Sequence, residues 1–210
     1  MQNAEEKLSL DPIQLPSRIK YVLNLLLMLL FNPPYLDHFF SLDELPDYMY
    51  RRFLVRGTLQ PHKSILIGPK KYGEVMGYHL IMPLVRSPES GSGIPSTSSP
   101  STILINLGFV SNEAAGSYRS LASSSASSSS TSGPVKCERP EFIENERIIE
   151  GLIPAPQTAN WFTPENKPDK GEWVWADIQA MAQYAGGEGA NVVPLLMDEI
   201  FGSCSVMGFR

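Results

Sequence analysis

Apolar positions along this chain fall into short runs with strand character. Residues 50–59 (YRRFLVRGTL), 63–68 (KSILIG), 77–85 (GYHLIMPLV) and 101–110 (STILINLGFV) are rich in aliphatic and β-branched side chains. Gly, Pro and Ser bound them, which predicts four strands. Pro61-His62 marks one tight connection and residues 68–73 a second, so these strands are expected to pair antiparallel as a meander. Residues 142–153 end in IIEGLI after a charged lead-in and read as a further strand. Residues 191–200 (NVVPLLMDEI) read as a late strand. Pro194 points it to an edge, because proline cannot donate to a ladder.

Helical spacing is confined to one stretch. Trp173, Ala176, Ala180 and Tyr184 form one stripe, with Ile178, Met181 and Ala185 beside it. Residues 173–184 therefore read as the main helix, stopped by Gly186-Gly187. Asp177 is an alternative cap that would start a shorter helix. Two serine-rich stretches interrupt the pattern. Residues 87–101 hold seven serines with Pro and Gly, and residues 117–133 hold ten serines in seventeen positions. Such segments bury too little apolar surface to offset the entropy of ordering, so both read as disordered loops. The expected fold is α+β: mostly antiparallel β-sheet or a small open barrel, one main helix, and Ser-rich disordered loops. Residues 1–44 read as an N-terminal segment, 45–201 as a single β-rich domain, and 202–210 as a tail.

Composition narrows the functional classes. The 210 residues are 42% hydrophobic and carry a net charge of -5, enough apolar content for one packed core. No basic stripe offers a surface for nucleic acid. The doublets Arg51-Arg52 and Lys70-Lys71 read as solvated surface. The N-terminus MQNAEEKL is acidic and lacks the pattern of a signal or transit peptide. Residues 21–31 form the longest apolar run, eleven residues closed by Asn32-Pro33-Pro34. A membrane span needs roughly 20, so the run reads as a buried or interfacial helix.

Candidate chemistry is sparse. Cys137 and Cys204 form no C-x-x-C pair, and His38, His62 and His79 show no i,i+3 or i,i+4 ligand spacing. The turn Gly68-Pro69-Lys70-Lys71 lacks the G-K-S/T of a phosphate loop. His79 is the best single ligand candidate, although a satisfied strand histidine is the plainer reading. Asp198 and Glu199 are adjacent on a predicted strand and so point to opposite faces, which makes them no acid/base pair. Trp161-Phe162, Trp173 and Trp175 either present aromatics to a partner or close one end of the core. No catalytic, cofactor-binding or metal-binding residue is assigned, and the chain is expected not to be an enzyme.

An ordered series of short motifs resembles the Surfeit locus protein 1 family. It runs through Tyr50-Arg51-Arg52, Val55-x-Gly57, Ile67-Gly68-Pro69-Lys70, Gly77-Tyr78-His79-Leu80-Ile81-x-Pro83-Leu84 and Ile103-Leu104-Ile105-Asn106-x-Gly108-Phe109-Val110. A second block holds Glu150-Gly151-Leu152, Phe162-x-Pro164-Glu165-Asn166-x-Pro168, Trp173, Asp177, Met181-Ala182 and Gly186. The resemblance implies an assembly factor for mitochondrial cytochrome c oxidase, acting early, around the first core subunit and haem a insertion. It further implies other assembly factors as partners, and two inner-membrane helices flanking one domain in the intermembrane space. No cofactor is evident in the residues themselves; haem a enters by resemblance only. Residues 4–19 look like the piece that follows the family's first membrane helix. Residues 20–40 are an atypical apolar insert, and Leu107 stands where the family usually has Arg. The tail 202–210 stops before the family's second membrane helix and proposed haem-ligand histidine, so both helices are expected to be missing and no haem ligand is carried over. Gly57, Gly68, Pro69, Gly77, Pro83 and Gly108 are expected to set turn geometry at strand ends.

Overall fold

Alternate side chains of strand β4 (Arg52–Leu59) are buried, with Phe53, Val55 and Leu59 pointing one way. The same two-residue period selects Leu80, Met82 and Leu84 on β6 (Val75–Arg86), Ile103 and Ile105 on β7 (Thr102–Ser111), and Val193, Leu195 and Met197 on β9 (Val192–Glu199). These side chains meet because the strands form a ring. The computed structural model, which describes residues 4–15, 19–20, 40–41, 45–87, 101–124 and 146–200, places β4, β8 (Arg147–Leu152), β9, β7 and β6 in that order, and β6 pairs back onto β4. The α+β expectation of a strand-rich small barrel therefore holds.

The ring is of mixed direction. β4–β8, β8–β9, β7–β6 and β6–β4 are antiparallel, and β7–β9 is parallel. Strand β5 (Ile65–Tyr72) pairs with the first half of β6, and the short β1 (Ile13–Gln14) runs parallel to β4. Two further short strands, β2 (Ile19–Lys20) and β3 (Phe40–Ser41), pair with each other, and two short helices, α1 (Ala4–Ser9) and α2 (Leu45–Tyr48), precede β1 and β4. The expected meander is thus real for β5–β6–β7 but not for β4. That strand skips β5 and joins β6 at Gly57–Leu59 opposite Leu84–Arg86.

Two apolar clusters lie on opposite faces of the sheet. The interior one gathers the residues named above with Leu15, Ile149 and Ile153. The outer one gathers Ile65, Ile67, Ile81, Leu104, Leu196 and Trp173 beneath helix α4 (Ile178–Tyr184). Burying each such side chain contributes about 1.5–3 kcal/mol relative to exposure. Helix α4 begins at Asp177, whose Oδ1 accepts from Ala180 N at 3.0 Å. The shorter of the two expected helices is the one that forms. Trp173 precedes it in extended backbone, bridged to Ile67. Lys63 Nζ closes the helix by donating to Ala185 O at 2.6 Å.

Several expectations change. Residues 117–124 are not a loop: they belong to helix α3 (Asn112–Ser124). Ala114, Ala115, Tyr118 and Leu121 recur at helical spacing and pack on the interior cluster. That burial offsets the ordering cost that composition alone overestimates. Ser111 caps the helix, its Oγ accepting from Ala114 N at 3.3 Å. β5 runs on to Tyr72 through the Gly68-Pro69 bond, which is cis, and the tight turn falls instead at Gly73, where φ is 58°. Strand β9 lies inside the sheet rather than at an edge. Pro194 is accommodated because the β7–β9 register slips between Thr102 and Leu104, so that Pro194 falls in the irregular stretch.

The turn-setting glycines and prolines sit inside strands. A Cβ on Gly57 would collide with the carbonyl oxygen of Val85, so glycine is what lets β4 approach β6 and close the ring. Pro83 lies within β6 and its carbonyl accepts from Gln60 N at 2.8 Å. Arg51 and Arg52 are half-buried, not solvated. Arg51 Nη2 donates to Asp11 O at 2.6 Å and Arg52 Nη2 to Leu10 O at 2.9 Å, while Arg52 Nη1 pairs with Glu150 Oε1 at 2.9 Å. Buried Arg86 donates to Leu15 O at 2.6 Å. The guanidinium groups thereby hold the strand-β1 segment against the barrel. Residues 21–39, 88–100, 125–145 and 201–210 lie outside the described residues. With them go the apolar run 21–31, most of the insert, most of the first serine-rich stretch, His38, Cys137, Cys204 and the tail.

The close approach at Gly57 gives a paired prediction. Gly57→Ala is expected to cost about 3 kcal/mol, since backbone atoms must move. Gly116→Ala in α3, where a Cβ meets nothing within 4 Å, is expected to stabilise by up to about 1 kcal/mol. Urea unfolding of the two variants reads both signs.

Candidate functional site

The outer faces of β6, β7 and β9 are apolar at Ile81, Leu104 and Leu196 and turn polar two residues away, before Ile81 on antiparallel β6 and after Leu104 and Leu196 on β7 and β9. Strand parity places His79, Asn106 and Asp198 there, on the same face. Asn106 and Asp198 are direct partners in the parallel β7–β9 register. His79 joins them because β7 carries an extra residue between Asn106 and Phe109, opposite Ile81 and His79. Gly108 takes φ 92° in that bulge, a conformation that favours glycine. Its N–H donates to Asn106 Oδ1 at 3.1 Å, which fixes the orientation of the Asn106 amide.

The fixed amide points its NH₂ group at both neighbours. Asn106 Nδ2 donates to Asp198 Oδ1 at 2.8 Å and lies 3.5 Å from His79 Nδ1. With an N–H facing Nδ1, that nitrogen is the acceptor and the ring proton sits on Nε2. Burial and the ammonium of Lys70 both push the His79 pKa below its ordinary value, and the Asp198 carboxylate opposes them. Burial also raises the Asp198 pKa, against the Asn106 hydrogen bond and the proximity of His79. Neutral imidazole next to a half-buried carboxylate is the resulting state near neutral pH.

These groups line a cavity of about 220 Å³. Ile67, Ile81, Ala176, Ile178 and Leu196 form its apolar wall, Lys70 one polar edge, and the loop residues Pro154, Ala155 and Gln157 its rim. His79 was the best ligand candidate by sequence, and the structure puts it in the site. Asp198 is there too, partnered with His79 through Asn106 and not with Glu199. Composition and ligand spacing give Asn106 no role of its own. Its signal in the sequence is the Asn-x-Gly pattern inside a strand, which marks a bulge held by the Asn side chain.

A haem does not fit this cavity. Its volume of about 220 Å³ is below the roughly 300–1,000 Å³ of pockets for drug-sized ligands, and a haem is larger than most of those. Among the described residues no group of three or more His, Cys, Asp or Glu converges in a way that could hold a metal ion. The aromatic cluster is split. Trp173 is 2% exposed and meets Tyr184 edge-on at 5.7 Å between centroids, in the outer core. Trp161 and Phe162 are 91% and 87% exposed. Asn160 and Thr163 hold their backbone: Asn160 Oδ1 accepts from Phe162 N at 3.1 Å and from Thr163 Oγ1 at 2.9 Å. Asn166 pins the following hairpin, its Oδ1 accepting from Val174 N at 2.8 Å. Leu107, where the resemblance anticipates Arg, packs its side chain against the interior cluster.

A family model described as the SURF1 family matches residues 2–204. "Surfeit locus protein 1" of Homo sapiens is 26% identical over 178 residues, covering 76% of this chain and 47% of that protein. A "SURF1-like protein" of Dictyostelium discoideum is 23% identical over 177 residues, covering 75% and 55%. "Surfeit locus protein 1" of Arabidopsis thaliana is 26% identical over 159 residues, covering 65% and 44%. The chain spans about half the length of the curated relatives it matches. Among the described residues no helix is long and apolar enough to cross a membrane.

The site makes stability depend on pH in two opposed ways. His79 has a folded pKa below the ordinary 6.5, so the unfolded chain binds its proton first and stability falls as pH drops below 6.5. Asp198 has a folded pKa above 3.8. The folded chain therefore binds that proton first, and stability is lost as pH rises from 3.8 through the folded value. His79→Gln is expected to flatten the decline below pH 6.5. Asp198→Asn is expected to raise stability at pH 7, with the gain shrinking once Asp198 is protonated in the wild type. Thermal melts from pH 4 to 8 check both directions.

Proposed function

The chain belongs to the SURF1 family, and on that premise we propose that it is an assembly factor for mitochondrial cytochrome c oxidase. It acts early, around the first core subunit and the insertion of haem a, with its β-rich domain in the intermembrane space at the inner membrane. Its partners are that core subunit and other assembly factors, and its role is that of a scaffold and not of an enzyme. The observation that supports this reading is the extent of the family match, residues 2–204, which takes in the whole ring β4–β8–β9–β7–β6 and both apolar clusters. Conformity in the core alone would mark a shared fold. The ordered motif series in the sequence also includes Asn106 and Asn166, the side chains that hold the β7 bulge and the hairpin after residue 166.

A scaffold role suits the architecture. The ring is closed by backbone pairing and carries the 154–176 segment, whose turns are held by Asn160 and Asn166. Loops on a rigid sheet are where recognition is ordinarily built.

Depleting the protein from its own cells is expected to lower cytochrome c oxidase activity several-fold while other respiratory complexes keep theirs. A tagged copy is expected to co-purify with early oxidase intermediates. Normal oxidase activity after depletion, together with no co-purification, would sink the reading.

A further inference from the structure

The cavity at His79, Asn106 and Asp198 presents a specific set of complementary groups. His79 Nε2–H is a donor, because Nδ1 faces the Asn106 NH₂ at 3.5 Å. Lys70 adds an ammonium at the same edge. Asp198 is an acceptor with one oxygen committed to Asn106 at 2.8 Å. The remaining wall is aliphatic, from Ile67, Ile81, Ile178 and Leu196. A carboxylate ligand would be drawn to Lys70 but repelled by Asp198, and a cation the reverse. A divalent metal meets a protonated Nε2 and a neighbouring ammonium, neither of which favours it. The group that satisfies every edge is uncharged, with one acceptor and one donor side by side.

We propose that this cavity binds a neutral amide flanked by an aliphatic group, the chemistry of a peptide bond beside a leucine-like side chain. The carbonyl accepts from His79 Nε2–H and Lys70, the amide N–H donates to Asp198, and the aliphatic group lies on the isoleucines. A volume of about 220 Å³, below the range for drug-sized ligands, limits the occupant to about one residue. The site rests on this geometry alone and is independent of the assembly role: either can fail without the other.

The test is a titration of the ¹⁵N-labelled full chain, read by the His79 ring nitrogens and the amides of Ile81, Leu104 and Leu196. The probes are N-acetyl-leucinamide and the capped tripeptide N-acetyl-Ala-Leu-Ala-amide. Saturable shifts in the range of about 1 mM are expected, with acetate and methylammonium leaving the site unmoved. Asp198→Asn is expected to weaken binding about tenfold. Ala155→Trp, on the exposed rim and away from both cores, is expected to plug the cavity and abolish binding with the barrel spectrum intact. This second variant tests the same cavity without changing any of its polar groups. Tighter binding of the tripeptide identifies a chain segment as the occupant, and equal binding a free small amide. The proposal is overturned if no probe shifts the site at about 10 mM, if acetate or methylammonium binds as well as the amide, or if Ala155→Trp binds like wild type.

Discussion

Strand β6 carries the constraint on which the rest of the fold depends. One of its edges pairs with β7 along nearly its whole length, and the other edge is divided. Residues Ile81 back to Val75 take β5, and Leu84–Arg86 take β4. β4 pairs with β8 on one edge and with the end of β6 on the other, so the series β8–β9–β7–β6 returns on itself and the sheet must curl, and Gly57 supplies the close approach that completes the curl. The interior cluster exists because the ring closes, and the outer cluster exists because β5, outside the ring, widens the platform that α4 covers.

Much of this was legible in the sequence. β-branched runs gave every long strand to within a few residues, because strand propensity and burial agree there. What period and composition could not supply was pairing order. Nothing local in residues 52–59 says that their partner is β6 and not β5. Nothing local in residues 192–199 says that Pro194 will fall in a register slip at the centre of a sheet. Helix α3 was hidden for a different reason. Serine content suggests disorder, but Ala115, Tyr118 and Leu121 hold helical spacing within it, and tertiary burial overrides composition.

The polar site was legible only in fragments. Asn106 and Asp198 stand 92 residues apart, and His79 and Asn106 stand 27 apart. Their meeting depends on the parallel β7–β9 pairing and on the Gly108 bulge, both non-local facts. Strand parity assigns Asp198 and Glu199 to opposite faces. The relevant neighbour of Asp198 lay across the sheet and not along the chain. The tryptophans show the same limit: proximity in sequence suggested one cluster, and the fold sends Trp173 to the core and Trp161 to solvent.

The place of β9 in the ring has a consequence for synthesis. β9 is the last described strand, yet it sits between β8 and β7 and not at a border. Until residue 199 has been polymerised, β7 has an open edge, β8 lacks one neighbour and the ring cannot shut. At about 5–20 residues per second, the β5–β6–β7 meander emerges several seconds before its last partner. Through that interval the nascent chain holds an apolar sheet with a bare border, the state in which unwanted pairing is most rapid. The serine-rich sequence that leaves the ribosome between β7 and β8 keeps the intervening chain hydrophilic while it waits.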